Sequence, residues 1–255
     1  MTIHPAAAQG YSARADIYAK GRPDYAPEVV DWLRDDLALG PGKTALDLGS
    51  GTGKFLPTLR ATGASVIAVE PVDAMRARLM EQNPGIEAKV GSAEHIPLAD
   101  ASLDAVTCAQ CFHWFANAEA LAEIRRVLRP GGALGLIWNV RDERVPWVAA
   151  LTKIVEPYSG TAPRFNRREW RGVFPADGFT PLVERHMHHH HTGSPERVIV
   201  DRMLSVSFIA ALPQAEQDEI AERIRALIAE TPELAGKAQV SFPYRTAAFS
   251  CHRVA

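Results

Sequence analysis

The chain lacks most of the features that would class it quickly. Nowhere does it approach the ~20 consecutive apolar residues that a membrane helix needs, and residues 1 to 10 carry no charged segment leading into an apolar stretch. No membrane association is expected, and the expected compartment is the cytoplasm. Cysteine is scarce, with three residues in 255, an odd number that fits a reducing compartment better than a disulfide framework. No excess of positive charge exists: 28 Lys and Arg stand against 30 Asp and Glu, and the net charge is −2. Without a basic field, nucleic acid is not an expected partner. No internal repeat or low-complexity linker divides the sequence, and 255 residues suffice for a single α/β domain with one substantial core.

What is present is a glycine loop. Ala45 to Phe55 reads as an apolar strand running into Asp47-x-Gly49-x-Gly51-x-Gly53, with Ser50 and Thr52 between the glycines, and then into a helical pattern. Glycines at alternate positions allow a tight turn and a close approach of backbone to ligand. A P-loop would need Gly-Lys-Ser/Thr, but Phe55 follows Gly53-Lys54; a dinucleotide loop wants its third glycine three residues after the second, where Lys54 stands. An NTPase fits poorly and an NAD-dependent oxidoreductase is disfavoured. Asp47, inside the strand end, would repel a pyrophosphate and favour a cationic or amine-bearing ligand. A second β-branched strand ends on Glu70, placed to accept hydrogen bonds from two ribose hydroxyls.

Together these residues resemble the class I S-adenosylmethionine-dependent methyltransferases. The resemblance extends through Gly91-Ser92-Ala93-Glu94-His95-Ile96-Pro97-Leu98, Leu103-Asp104-Ala105-Val106, Phe112-His113-Trp114-Phe115 and Arg126-Val127-Leu128-Arg129-Pro130-Gly131-Gly132, covering roughly Tyr11 to Trp147. The stretch from Tyr18 to Tyr25 and the His-Trp-Phe run are similar to the small-molecule branch related to trans-aconitate methyltransferases.

Hydrophobic periodicity alternates strands and helices: strand Thr44 to Leu48, helix Gly53 to Thr62, strand Ser65 to Val69, helix Asp73 to Gln82, strand Ile86 to Val90, strand Asp104 to Gln110, helix Ala118 to Leu128 and strand Ala133 to Trp138. Pro130-Gly131-Gly132 is read as the break between the last two. This order implies a doubly wound, mostly parallel sheet with right-handed crossovers. Resemblance adds an antiparallel pair from two late strands, Leu182 to His191 and Phe242 to Cys251, completing a Rossmann-like α/β sheet of seven strands. The expected division is an N-terminal helical lid (1–40), a cofactor-binding core (41–138), and a helical substrate roof with the last strands (139–255).

In such sheets ligands sit beyond the carboxyl ends of the strands, and Gly49, Glu70, Ser92 and Cys111 all fall there. The resemblance implies S-adenosyl-L-methionine as cofactor. The glycine loop would give close backbone contact, Asp47 would steer the ammonium or instead fix the loop by accepting amides, and Glu70 would take the ribose or instead be a solvated carboxylate or a helix N-cap before Pro71. Pro71, Val72 and Met75 would pack on the adenine. Where the family commonly has an acid after the third strand this chain has Ser92, leaving the Ala93 amide and Glu94 side chain to the adenine edge. Gln110 would lie by the methionine portion. Tyr18 and Arg22 would close over the crevice, Arg22 pairing with a carboxylate of cofactor or substrate.

Methyl transfer needs proximity and orientation, and a base only when the nucleophile arrives protonated. His113 is the candidate catalytic residue, as base or as substrate hydrogen-bond donor, with a structural histidine as the alternative. Trp114 and Trp138 are candidate substrate walls, and equally ordinary core aromatics. The Asn/Asp-Pro-Pro-Tyr/Phe run of base and glutamine methylation is absent, and the expected acceptor is a small molecule with an oxygen nucleophile such as a carboxylate. A non-catalytic cofactor-binding sensor is the competing class. Cys108-x-x-Cys111 lacks a second ligand pair, and His188 and His190 should face away from His189 and His191 on a strand, so no metal is assigned. The oligomer is expected to be a monomer or homodimer.

Overall fold

The computed structural model describes residues 23–161 and 163–254; Tyr18 and Arg22 therefore lie outside the described residues. Seven strands form one sheet in the order β3-β2-β1-β4-β5-β7-β6. They are β1 (Thr44–Leu48), β2 (Ser65–Val69), β3 (Glu87–Lys89), β4 (Leu103–Ala109), β5 (Leu128–Arg141), β6 (Val183–Gly193) and β7 (Val240–His252). The first five are mutually parallel, and β7 runs antiparallel between β5 and β6. Strand order reverses between β1 and β4, the place where an open α/β sheet leaves a crevice at its carboxyl edge.

Both faces of the central strands are apolar because both are covered. Leu46, Leu48, Val106, Leu134, Leu136 and Trp138 point to one side, where helix Ala118–Val127 lays down Leu121, Ile124 and Val127. Asn117 caps that helix by accepting from the Ala120 amide at 2.8 Å, satisfying a donor that the helix cannot. Ala45, Ala105, Ala133 and Ile137 face the other side, against Val29, Trp32 and Leu33 of helix Val29–Asp35. Small residues dominate that second face so that the helix can lie close. A Cβ on Gly135 would stand 2.5 Å from Leu37 Cδ2 and 2.9 Å from Trp32 Cη2.

The structure departs from the periodicity in informative places. The first crossover helix begins at Leu56 rather than Gly53, since the intervening residues are spent on turns. Pro130-Gly131-Gly132 does not separate helix from strand. β5 already pairs at Leu128 with Leu103, then shifts register to Ala133 against Ala105, and the three residues form the irregularity between. It is tied down by Gly131 N donating to Arg253 O (2.9 Å) and Arg253 N donating to Gly132 O (2.8 Å). The segment Glu196 to Ala210 is a π-helical turn (Glu196–Asp201) followed by helical pieces Arg202–Leu204 and Ser207–Ala210. Together with Pro146–Val155 and Gln214–Glu230 these build a second cluster under Phe242 and Tyr244 of β7.

Gly135→Ala should destabilise the protein by about 1–3 kcal/mol, since neither the strand nor the buried indole has room to retreat. Chemical denaturation of the two proteins measures it; an unchanged midpoint and slope would show that the helix can move off the sheet.

Candidate functional site

The glycine loop leaves β1 and is fastened at both ends. Gly49 N and Ser50 N donate to Val69 O at 2.8 and 3.2 Å, and Gly53 N donates to Ser50 O at 2.9 Å. Gly53 adopts φ +82°, and a Cβ there would meet Asn83 Nδ2 at 2.6 Å and Leu79 Cγ at 2.9 Å. Only glycine fits that turn. Around Gly51 the reverse holds: an added Cβ would meet only Met75 Sδ, at 3.5 Å, so the loop presents bare backbone to open space beside Met75.

Asp47 is fully buried, and neither carboxylate oxygen has a hydrogen-bond partner. The hydroxyls of Ser50 and Thr107 pull its pKa down from nearby, yet their own hydrogen bonds go to the carbonyls of Asp47 and Leu46, at 2.6 and 3.1 Å. Burial, and then repulsion from Glu70, push Asp47 up from 3.8 to about 7. The loop-fixing alternative for this residue finds no support, because no amide reaches the carboxylate. An acid kept dry and unpaired is stabilised by a cation arriving from outside.

Glu70 is 5% exposed and does have partners. Oε2 accepts from Gly51 N at 2.8 Å and Oε1 accepts from Val72 N at 2.9 Å, which fastens the glycine loop to the start of helix Asp73–Gln82. Burial still raises its pKa, against the pull of those amides and Arg76. Each oxygen keeps lone-pair capacity for a further donor. A merely solvated carboxylate finds no support: Glu70 holds an amide at the start of the following helix, near the capping role the sequence allowed, and its second oxygen also reaches Gly51, which makes it the clasp between two loops.

Ser92 and His95 close a short turn after β3, with the Ala93 side chain buried and Glu94 exposed. Glu94 accepts from Asn117 Nδ2 at 3.1 Å. Arg126 and Glu123, which the sequence did not single out, hold this segment: Arg126 donates to the carbonyls of Ile96 and Leu98, both at 2.8 Å, and Glu123 accepts from Ile96 N at 2.9 Å. Pro71 and Val72 are half-buried and Met75 is buried. Thr52 is buried within the loop.

At the end of β4, Gln110 has φ +67°, the left-handed region, which costs a non-glycine residue about 1–2 kcal/mol. Its amide donates to Ile137 O at 2.8 Å. The chain then enters a 3-10 turn, Phe112–Trp114. His113 Nδ1 accepts from Trp138 Nε1 at 3.1 Å. Trp138 is 2% exposed, packed among Phe165, Trp170 and Phe249 at ring separations of 5.0, 4.7 and 5.9 Å. It therefore sits behind His113 and not on an open wall, whereas Trp114 is half-buried beside the same imidazole. Cys111 donates to Leu48 O at 3.1 Å; burial, the neighbouring Cys108, Asp47 and Glu70 all push its thiol up, so it is held protonated and unreactive.

The histidine run alternates along β6 as its strand period requires. His189 and His191 turn inward, the first stacked 5.6 Å from Tyr244 and the second depressed to about 4 by burial and the arginines Arg197 and Arg202. His186, His188 and His190 are exposed, with Glu184 2.9 Å from His186. Among the described residues no group of three His, Cys, Asp or Glu side chains could hold a metal ion. Nor is any described helix long and apolar enough to cross a membrane.

A profile described as a methyltransferase domain matches residues 46–136, from β1 into β5. An uncharacterized methyltransferase-like protein of Schizosaccharomyces pombe is 38% identical over 237 residues, 92% of each chain. A malonyl-[acyl-carrier protein] O-methyltransferase of Methylococcus capsulatus is 33% identical over 152 residues, 56% of this chain and 54% of its own. Among solved structures, one described as a type II methyltransferase from Anaeromyxobacter dehalogenans has a TM-score of 0.64 at 22% identity, covering 91% of this chain and 97% of its own.

Asp47 supplies a test with a definite sign. Its folded-state pKa lies above the unfolded value, so the burden it places on the ligand-free fold is absent below about pH 4 and grows as pH rises through about 7. The move from 3.8 to about 7 corresponds to roughly 4 kcal/mol. Asp47→Asn should match wild type at pH 4 and exceed it in ligand-free melting temperature by a widening margin up to pH 8. Glu70→Ala should instead lose about 1–3 kcal/mol for each amide left unpaired, a loss present at pH 4 and partly offset at higher pH because the raised pKa of Glu70 and its repulsion of Asp47 are relieved, with Glu70→Gln intermediate. Thermal scans across the pH range check both.

Proposed function

This chain belongs to the class I S-adenosylmethionine-dependent methyltransferases, and from that premise we propose that it methylates a small-molecule acceptor through an oxygen nucleophile, with a carboxylate as the preferred case. The observation that carries the cofactor assignment is the pairing of a buried, unpartnered Asp47 with a Glu70 that retains acceptor capacity, on either side of bare loop backbone at Gly51. The donor set fits S-adenosyl-L-methionine: Asp47 faces its cationic portion, directly or through water, Glu70 accepts from the ribose hydroxyls, Pro71, Val72 and Met75 lie against the adenine, and the Ala93 amide and Glu94 meet its edge. When bound, that cofactor supplies a methyl carbon already activated by positive sulfur. Everything else the chain must do is hold, orient and dry the acceptor.

His113 bears on which acceptor. A neutral imidazole whose Nδ1 accepts from the Trp138 indole carries its proton on Nε2, so its second polar atom is a donor. A base role through Nε2 would need the tautomer with hydrogen on Nδ1, setting two N–H groups against each other 3.1 Å apart. A donor suits an acceptor that is already an anion, and a carboxylate is ionised at pH 7 without help. The O-methyltransferase named among the relatives supports oxygen as the nucleophile, over part of the chain. Trp138 acts here as a positioning residue that fixes the histidine's tautomer.

Calorimetry should find S-adenosylhomocysteine binding in the micromolar range and no heat with NAD, and Glu70→Gln should weaken the former by roughly tenfold or more. Absence of binding to wild type would remove the reading. For the acceptor, an extract incubated with enzyme and methyl-labelled cofactor, followed by mass spectrometry, identifies the product without a prior guess. With that product in hand, His113→Ala should retain kcat within about tenfold and lose mainly in KM. A thousandfold fall in kcat at unchanged cofactor affinity would make His113 a general base and the acceptor a protonated one.

A further inference from the structure

A cavity of about 490 Å³ opens at the carboxyl edge of the sheet, beyond the last residues of β5. Val140 and Arg141 form its floor with Arg245, which pairs with Val140 across the β5–β7 ladder. The following segment, Asp142 to Arg144, and the 3-10 turn that carries Phe165 and Arg168 form its sides. The volume is within the range that encloses a metabolite.

Its charge is unbalanced in a specific way: four arginines line it against two carboxylates. Arg144 is fully engaged by Asp142, through Nε to Oδ1 at 2.8 Å and Nη2 to Oδ2 at 2.6 Å. Glu143 accepts from Thr152 Oγ1 at 2.9 Å. Arg141, Arg168 and Arg245 have no carboxylate within ion-pair distance among the described residues. Arg141 makes one side-chain hydrogen bond there, to Met203 Sδ at 3.5 Å, a weak acceptor that does nothing for a charge. Burial lowers its pKa, as it must for a cation kept from water without a counter-ion. Arg168 sits at φ +59°, a left-handed backbone that an arginine adopts only at a cost. The neighbouring Arg164, by contrast, is neutralised by Glu156 through two hydrogen bonds at 2.6 and 3.0 Å. The fold thus pairs the arginines around this cavity and leaves unpaired three that line it.

The cavity also adjoins the proposed transfer site. Phe165, one of its walls, packs on Trp138 at 5.0 Å, and Trp138 holds His113. We propose that Arg141, Arg168 and Arg245 form an anchoring subsite for an oxyanion of the acceptor, a carboxylate or a phosphate distinct from the atom that receives the methyl group. The acceptor would then have two polar ends, one at His113 and one held by guanidinium forks. This rests on the methyltransferase reading above, and it makes that reading more specific: the arginines select the acceptor and leave the cofactor alone.

Succinate and inorganic phosphate, titrated separately into the wild-type protein by calorimetry, distinguish the two oxyanion sources by which binds more tightly. At least one should bind saturably. Arg245→Gln and Arg168→Gln should each weaken it by roughly tenfold or more while S-adenosylhomocysteine affinity stays at the wild-type value. Arg168 lies on an exposed turn, so its variant keeps the test available should loss of Arg245 disturb β7; circular dichroism establishes that each variant is folded. The subsite is overturned if neither anion binds, or if a folded Arg168→Gln protein binds it as tightly as wild type. Failure of S-adenosylhomocysteine to bind the wild type would instead remove the methyltransferase reading, and the anion titrations would still decide the subsite.

Discussion

The site is governed by the cost of keeping Asp47 and Glu70 out of water side by side. Their strands are neighbours in exact parallel register, Asp47 opposite Ala68 and Leu48 opposite Val69, so the sheet itself brings the two acids together at its carboxyl edge. Each is raised by desolvation, and the charge of Glu70 raises Asp47 further. The chain resolves the conflict for Glu70 by supplying two amides, and for Asp47 it supplies only the nearby hydroxyls of Ser50 and Thr107, whose own hydrogen bonds go elsewhere. That asymmetry separates their roles. One carboxylate maintains the shape of the loop, and the other stays buried with its oxygens unpaired among the described residues.

Much of this architecture was legible because it rests on local rules. β1, β2 and the helix Asp73–Gln82 stand where alternation and helical spacing put them, since apolar strands covered on both faces and glycine-bounded turns are written residue by residue. The late antiparallel pair came from resemblance and is present as β6 and β7. Other features depend on pairings distant in sequence. Leu128 to Gly132 looks like a helix stop, yet Leu103 and Arg253 draw it into the sheet, and neither partner can be found from the segment itself. The same holds in the site. Glu70 was visible at a strand tip, but its grip on Gly51 and Val72 was not. Arg126 and Glu123 look like an ordinary surface pair at i, i+3 until their bonds to Ile96 and Leu98 are seen. Gln110 carries no mark of its left-handed backbone.

The carboxyl edge is divided by aromatic packing. Phe112, Trp138, Phe165, Trp170 and Phe249 fill the space between β4, β5, β7 and the segment after the roof helix. On one side lie the two acids, the glycine loop and His113; on the other lies the arginine-lined cavity.

The hydrogen bond from Trp138 to His113 also bears on how the chain can change. His113 is the proposed acceptor contact, but the choice of which imidazole nitrogen carries hydrogen is made one layer behind it, by an indole in the core. Altering the class of nucleophile would therefore require a substitution in a packed aromatic cluster, where few replacements survive, while altering the acceptor's outline needs only changes in exposed roof loops. Lineages descending from this sequence should wander freely in the molecules they accept and hold fast to the kind of atom they modify.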